Sequence, residues 1–184
     1  MSVPEFDLVI VGGGSAGLEL ARMATRAELN VALIEQGVSS GRHIFQRIPL
    51  MVGKIIGNSR FVDVWRSIPL TSAGGFARPI LAGRGLGGSS RINGNVAYAG
   101  PRHRYTQVYD KIGLNFSDIL RELSPGASNA APRVHTWTDG LSELFLKATV
   151  ADGARLLDDP DDDFFGASPL HVNTRWGLRH NYLE

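Results

Sequence analysis

The sequence predicts an α/β fold with a parallel sheet that starts almost at the first residue, and three observations predict it. Leu8, Val9, Ile10 and Val11 form an apolar run of the kind a strand covered on both faces needs. The run Gly12-Gly13-Gly14-Ser15-Ala16-Gly17 follows at once, where a tight turn leads into a helix. Val31, Ala32, Leu33 and Ile34 make a second apolar run, closed by Glu35, 18 residues after Gly17.

Each element has a physical reason. The glycine run fits G-x-G-x-x-G, the fingerprint of a Rossmann-like dinucleotide-binding turn. Gly12 permits the sharp turn out of the strand, Gly14 lets a pyrophosphate approach the backbone, and Gly17 lets the helix lie close to the strand. The helix N-terminus then directs free N–H groups at phosphate oxygens. Ala16, Leu20 and Ala24, with Gly17 and Ala21, are expected to face the sheet. Leu29-Asn30 is expected to end the helix, with Asn30 as a left-handed cap. Glu35 stands where an acid takes both hydroxyls of an adenosine ribose, which favours FAD or NAD over NADP.

Further along, Gly37, Ser39, Ser40 and Gly41 mark a loop, and Pro49 is placed to open a short helix. In the stretch holding Phe61, Val62, Val64, Trp65 and Ile68 the aromatics Phe61 and Trp65 read as core, Thr71 to Gly75 reads as a turn, and Ile80-Leu81-Ala82 as a short strand. A second informative stretch runs from Gly83 to Pro101. Four glycines among residues 83–88 rule out regular strand or helix and suit a backbone that hugs a flat or charged ligand. Ser89 and Ser90 are placed to cap a following short helix, and Asn93 offers both a donor and an acceptor to a ring edge or a hydroxyl. Residues 124–136 read as loop, and no further strand is convincing after residue 100.

Composition narrows the function. The chain has 184 residues, 43% of them hydrophobic and 20% charged, as in an ordinary globular protein. A net charge of +1 gives no argument for nucleic acid or for an anionic membrane. The absence of cysteine excludes disulfides, thiolate metal sites and cysteine nucleophiles. No metal site is expected: the run Asp158 to Asp163 fails the calcium-loop pattern and reads as a solvated acidic loop, and Arg102-His103-Arg104 as a solvated basic cluster. Trp137 and Trp176 read as packing or interface residues. The N-terminus lacks a signal-peptide pattern and no apolar run reaches the roughly 20 residues that span a bilayer, so a cytoplasmic protein is expected.

The stretch G-R-G-L-G-G-S-S-x-I-N-G-N-V, residues 83–96, resembles the first signature of the glucose–methanol–choline (GMC) oxidoreductases, which are FAD-dependent. It lies downstream of Glu35 where that family has it. Weaker matches continue in order: Ile48-Pro49, Trp65, Tyr105 to Asp118, Gly140 to Leu146, Asp162 to Gly166, and Arg175-Trp176-Gly177-Leu178-Arg179 through Tyr182-Leu183. The resemblance covers nearly all of this chain but only the beginning of a family member. It implies an incomplete FAD-binding domain over residues 1–123, then a loop-rich segment, 124–184, leading into the start of a substrate domain. By carry-over Gly12, Gly14, Ser15 and Gly17, with Ala16 between them, hold the FAD pyrophosphate and Glu35 the adenosine ribose. Arg84, Gly88, Ser89, Asn93, Gly94 and Val96 lie along the isoalloxazine and ribityl portion. Some members attach flavin through a His just before the Asn; here Ile92 stands there, so binding is expected to be non-covalent.

The family's second signature and its C-terminal catalytic His have no counterpart in this chain, and none of His43, His103, His135, His171 and His180 sits in a matching segment. No catalytic residue is assigned. The implied reaction is oxidation of a small-molecule alcohol by hydride transfer to flavin. A sheet of two strands would leave apolar faces and edges exposed. The chain is therefore expected to be a fragment, half of a split enzyme completed by a complementary C-terminal chain, or a decayed paralogue acting as a non-catalytic partner. An unrelated NAD-binding domain is the third reading, disfavoured by the second glycine motif.

Overall fold

The computed structural model describes residues 4–38, 43–98, 102–115, 117–118, 135–158 and 166–180. Outside them lie Ser39 to Gly41, Ala99 to Pro101, residues 124–134, most of the Asp158-to-Asp163 run and Tyr182-Leu183. The chain divides into two compact units, residues 1–94 with 175–184, and residues 95–174. The boundary expected at 123/124 falls outside the described residues.

The first unit opens on strand β1 (Leu8–Val11), helix α1 (Ser15–Arg26) and strand β2 (Val31–Ile34). The strands pair in parallel, Leu8 opposite Val31 through Val11 opposite Ile34. The Gly12 N–H carries the ladder one step further to Ile34 O at 2.8 Å. The sheet-facing side of α1 differs from the expected stripe. Ala24 is buried and Gly17 lies against Ile10, whereas Leu20 is 48% exposed and Ala16 is exposed. The helix turns on its closest approach, at Gly17, and the residues one and two turns on from Gly17 share that side. The helix also ends earlier than expected, at Arg26, and the left-handed residue is Glu28 (φ 61°). Asn30 instead ties the loop to the start of β1: its N–H donates to Asp7 Oδ2 at 2.8 Å and its Nδ2 to Glu5 O at 2.5 Å.

Two short helices follow, α2 (Ile44–Arg47) and α3 (Val52–Ile55), bridged by a 3₁₀ turn over Pro49–Met51. Pro49 opens that turn, where its missing N–H leaves no bond unmade. Strands β3 (Val62–Arg66) and β4 (Pro79–Gly83) pair antiparallel, Val62 opposite Gly83. Ile55, Phe61, Val62 and Ile92 form the local core, with Val38 and Val52 packed on it. Trp65, expected in the core, is 61% exposed on β3, and Ile68 is exposed as well. Trp65 is three positions on from the buried Val62 and so points to the opposite face, and Val64, on Val62's own face, is 57% exposed too, so the core covers only the start of β3.

The second unit contains helix α4 (Arg102–Lys111), strand β5 (His135–Trp137), helix α5 (Gly140–Ala151) and strand β6 (Leu170–Val172). β5 pairs antiparallel with β6, so His135 and Thr136 belong to a strand and not to the expected loop. Asp139 caps α5, its Oδ1 accepting from the Ser142 N–H at 2.8 Å. Val172 is buried and bridges Val96; Leu157 and Ala167 bury against each other through a 2.9 Å backbone bond. Trp137 and Trp176 are both substantially exposed, and the Arg175 guanidinium stacks over the Trp176 ring. No helix among the described residues is long and apolar enough to cross a membrane.

Candidate cofactor-binding site

The site is built from the loop between β1 and α1. Gly12 has φ 100°, a conformation that costs a side-chain-bearing residue strain. A Cβ at Gly17 would stand 2.0 Å from Gly12 O, so glycine is the residue that lets α1 start this close to the strand. Gly14 precedes the helix with no side-chain cap, and the first turn carries no acidic residue to repel an anion. A Cβ at Gly14 would meet nothing within 4 Å. The loop therefore presents a helix N-terminus to open space at the position where a pyrophosphate is expected, and this geometry fits that group.

The second glycine motif lies directly on the first. The Gly87 N–H donates to Gly13 O at 2.7 Å, and a Cβ on Gly88 (φ 52°) would come within 2.9 Å of Gly14 Cα. A 3₁₀ turn over Gly88–Arg91 follows. Ser89 and Ser90 sit inside this turn and do not cap it: Ser89 Oγ accepts from the Gly83 N–H at 3.0 Å, and Ser90 Oγ donates to Gly87 O at 2.6 Å. The turn starts at Gly87 with a left-handed backbone, which leaves no capping position for either serine. Arg91 is buried and holds the motif from behind, donating to Leu86 O at 3.0 Å and to Gln46 Oε1.

Glu35 is the acid at the end of β2, and its carboxylate is already engaged. Oε2 accepts from the Gly13 N–H at 2.8 Å, and Oε1 from the N–H groups of Gly37 at 2.8 Å and Gly85 at 3.1 Å. Partial burial pushes this carboxyl up, yet the three N–H donors and the nearby Arg84 guanidinium together hold it below its ordinary value. Arg84 pairs with Asp63 at 3.5 Å and lines an open cleft of about 350 Å³ together with Gln36, Gly37, Val38, Ser59 and Arg60. Arg84 thus stands near Glu35, by the end of β2.

Asn93 is exposed, and its Oδ1 and backbone O both accept from Nη1 of Arg179, each at 2.6 Å. Arg179 is only 2% exposed. Sequence reasoning placed Arg179 in the Arg-x-Gly-x-Arg run without a role; the spacing of that run held no sign that its last arginine orients Asn93. Gly94 is exposed, and Val96 belongs to the second unit.

The comparisons with known proteins agree with this geometry. A family model described as an FAD binding domain matches residues 7–46, which spans β1, α1, β2 and Glu35. The chain is 37% identical, over 95% of its length, to an oxygen-dependent choline dehydrogenase of Photobacterium profundum, and 30% identical, over 88%, to the dehydrogenase mpl7 of Monascus purpureus. It covers 34% and 30% of those proteins. Among solved structures, pyridoxine 4-oxidase from Mesorbium loti superposes with a TM-score of 0.78 at 23% identity, over 97% of this chain and 38% of that one. A formate oxidase superposes at 0.77 and 20%, over 96% and 36%.

Fold and loop together define an FAD-binding α/β unit of the Rossmann-like class. Within that class the chain matches the N-terminal, FAD-binding portion of the GMC oxidoreductases. It spans about a third of the length of the two curated relatives named above.

Proposed function

We propose that this chain is the flavin-holding part of an enzyme that oxidises a small-molecule alcohol at a CH–OH carbon. The observation that carries the reading is the contact between the two glycine motifs, Gly87 N–H to Gly13 O at 2.7 Å, which puts the pyrophosphate loop and the second motif side by side. Bound FAD supplies the hydride acceptor for such chemistry. The chain's own residues do the rest of the holding. Gly12, Gly14, Ser15, Ala16 and Gly17 present the loop and the α1 N-terminus to the pyrophosphate, and Glu35 faces the adenosine ribose. Gly88, Ser89, Asn93 and Gly94 continue the site toward the ring, with Arg179 fixing the direction of the Asn93 amide. Arg84 serves the β2 end. Ile92 offers no nucleophile for a covalent link, so the flavin is held non-covalently. Support for an alcohol donor comes from relatives named for choline and pyranose, both hydroxyl-bearing molecules.

No residue of this chain is assigned as the base that takes the hydroxyl proton, and a complementary C-terminal polypeptide is proposed to carry it. A cytoplasmic location goes with this reading. The test is the visible spectrum of the purified chain after loading with FAD and desalting. A retained flavin band supports the reading, and a colourless chain refutes it. NAD added in excess should not displace the band; displacement would favour a nicotinamide site.

A further inference from the structure

We propose that Glu35 is a positioning residue for the second glycine motif, holding that motif on the pyrophosphate loop before any cofactor arrives. The inference rests on the FAD reading only for its functional meaning, since the contacts themselves run between groups of the protein. Three backbone N–H groups converge on one carboxylate: Gly13 from the loop, Gly37 two residues downstream, and Gly85 from a segment 50 residues away. The chain has no slack at this point. A Cβ at Gly37 would fall 2.1 Å from Gly85 N, and one at Gly85 would fall 2.8 Å from Val38 O. An ionised carboxylate suits three converging donors because it is acceptor-only at both oxygens. Glutamine has one acceptor oxygen, and its NH₂ would face at least one N–H donor.

The geometry also limits what Glu35 offers a ribose. A carboxylate has about four acceptor sites, and three are filled here, so about one remains. Glu35 is then placed to take one ribose hydroxyl where the sequence led us to expect two. An acid at this position is explained by the fold even in the absence of a ribose.

The test uses the full chain without ligand and reads amide hydrogen exchange by NMR. In Glu35→Gln the amides of Gly85 and Gly87 should exchange about tenfold faster or more, as expected when a charged hydrogen bond is lost, while Ala24 in α1 stays protected. Unchanged protection at Gly85 and Gly87 overturns the proposal. Glu35→Asp guards against a variant that simply unfolds. A shorter carboxylate keeps its charge and its local bond to the Gly37 N–H, as aspartates do two residues on, and withdraws from Gly13 and Gly85. Fast exchange at Gly85 with slow exchange at Gly37 and Ala24 supports the clamp. Equal change at all of them, or none, overturns it. A second readout is the visible circular dichroism of bound flavin, which should weaken in Glu35→Asp at saturating FAD because the second motif no longer fixes the ring. A wild-type chain that binds no flavin would refute the proposed function and leave the exchange result standing; a wild-type chain that binds flavin beside an intact clamp in Glu35→Asp would refute the clamp alone.

Discussion

Replacing Gly17 by alanine sets two effects against each other. Alanine is favoured over glycine inside a helix by about 1 kcal/mol. Against that, the new Cβ would stand 2.0 Å from Gly12 O, 1.0 Å inside the 3.0 Å that real Cβ contacts keep, and 3.3 Å from Ile10 Cγ2. The obstructing atom is backbone, so the helix must move away from β1. Forcing added volume into a packed contact costs about 1–3 kcal/mol, and a rigid neighbour puts this case at the upper end. The expected net effect is destabilisation by about 1–2 kcal/mol. At a urea dependence of about 2 kcal/mol/M, the unfolding midpoint should fall by about 0.5–1 M with the slope unchanged. Gly53→Ala is the matched control, because Gly53 lies inside α3 with nothing within 4 Å of its Cβ position. Its midpoint should stay or rise. A Gly17→Ala midpoint equal to wild type, or an equal fall in Gly53→Ala, would refute the reasoning.

Three further outcomes can be measured readily. Glu35 has a folded pKa held below its usual 4.5, so its stabilising contribution is complete above about that pH and disappears as the pH falls through the lower folded value. Stability plotted against pH should therefore drop in acid more steeply for wild type than for Glu35→Gln; parallel curves would contradict this. Arg179→Lys should destabilise the first unit by about 1–3 kcal/mol, since an ammonium on a flexible stem does not replace a buried guanidinium bonded to both oxygens of Asn93, and an unchanged urea midpoint would count against it. Acid precipitation of the flavin-loaded chain should leave all the yellow colour in the supernatant, because Ile92 cannot form a covalent link; colour in the pellet would disprove that.

What the sequence made legible was local. β1, the glycine turn, α1 and β2 follow from apolar runs and glycine offsets within one stretch, and the two strands pair in parallel as expected. Pro49 opening a short helix, 3₁₀ in form, and β4 around Ile80 to Ala82 were legible for the same reason. The face of α1 was not, because the side that meets the sheet is set by where Gly17 touches Gly12, and apolar spacing alone pointed to Ala16 and Leu20. Asn30 looked like a helix cap by residue type, yet Asp7 and Glu5 recruit it to the strand end. Two of the three donors to Glu35 are backbone N–H groups 22 and 50 residues away, and a backbone donor leaves no mark on residue identity. Arg179 reaches Asn93 across 86 residues, beyond any periodic signal.

The glycines of the two motifs differ in what keeps them glycine. Gly17 and Gly88 are confined by the protein itself, one against Gly12 O and the other against Gly14 Cα with a left-handed backbone. Gly14 is confined by nothing in the chain, since a methyl group there would enter empty space. In a lineage that ceased to bind a dinucleotide, drift would therefore be expected to strike position 14 early and positions 17 and 88 late. Gly14 is the residue through which loss of the ligand would first become visible in the gene, well before the fold recorded it.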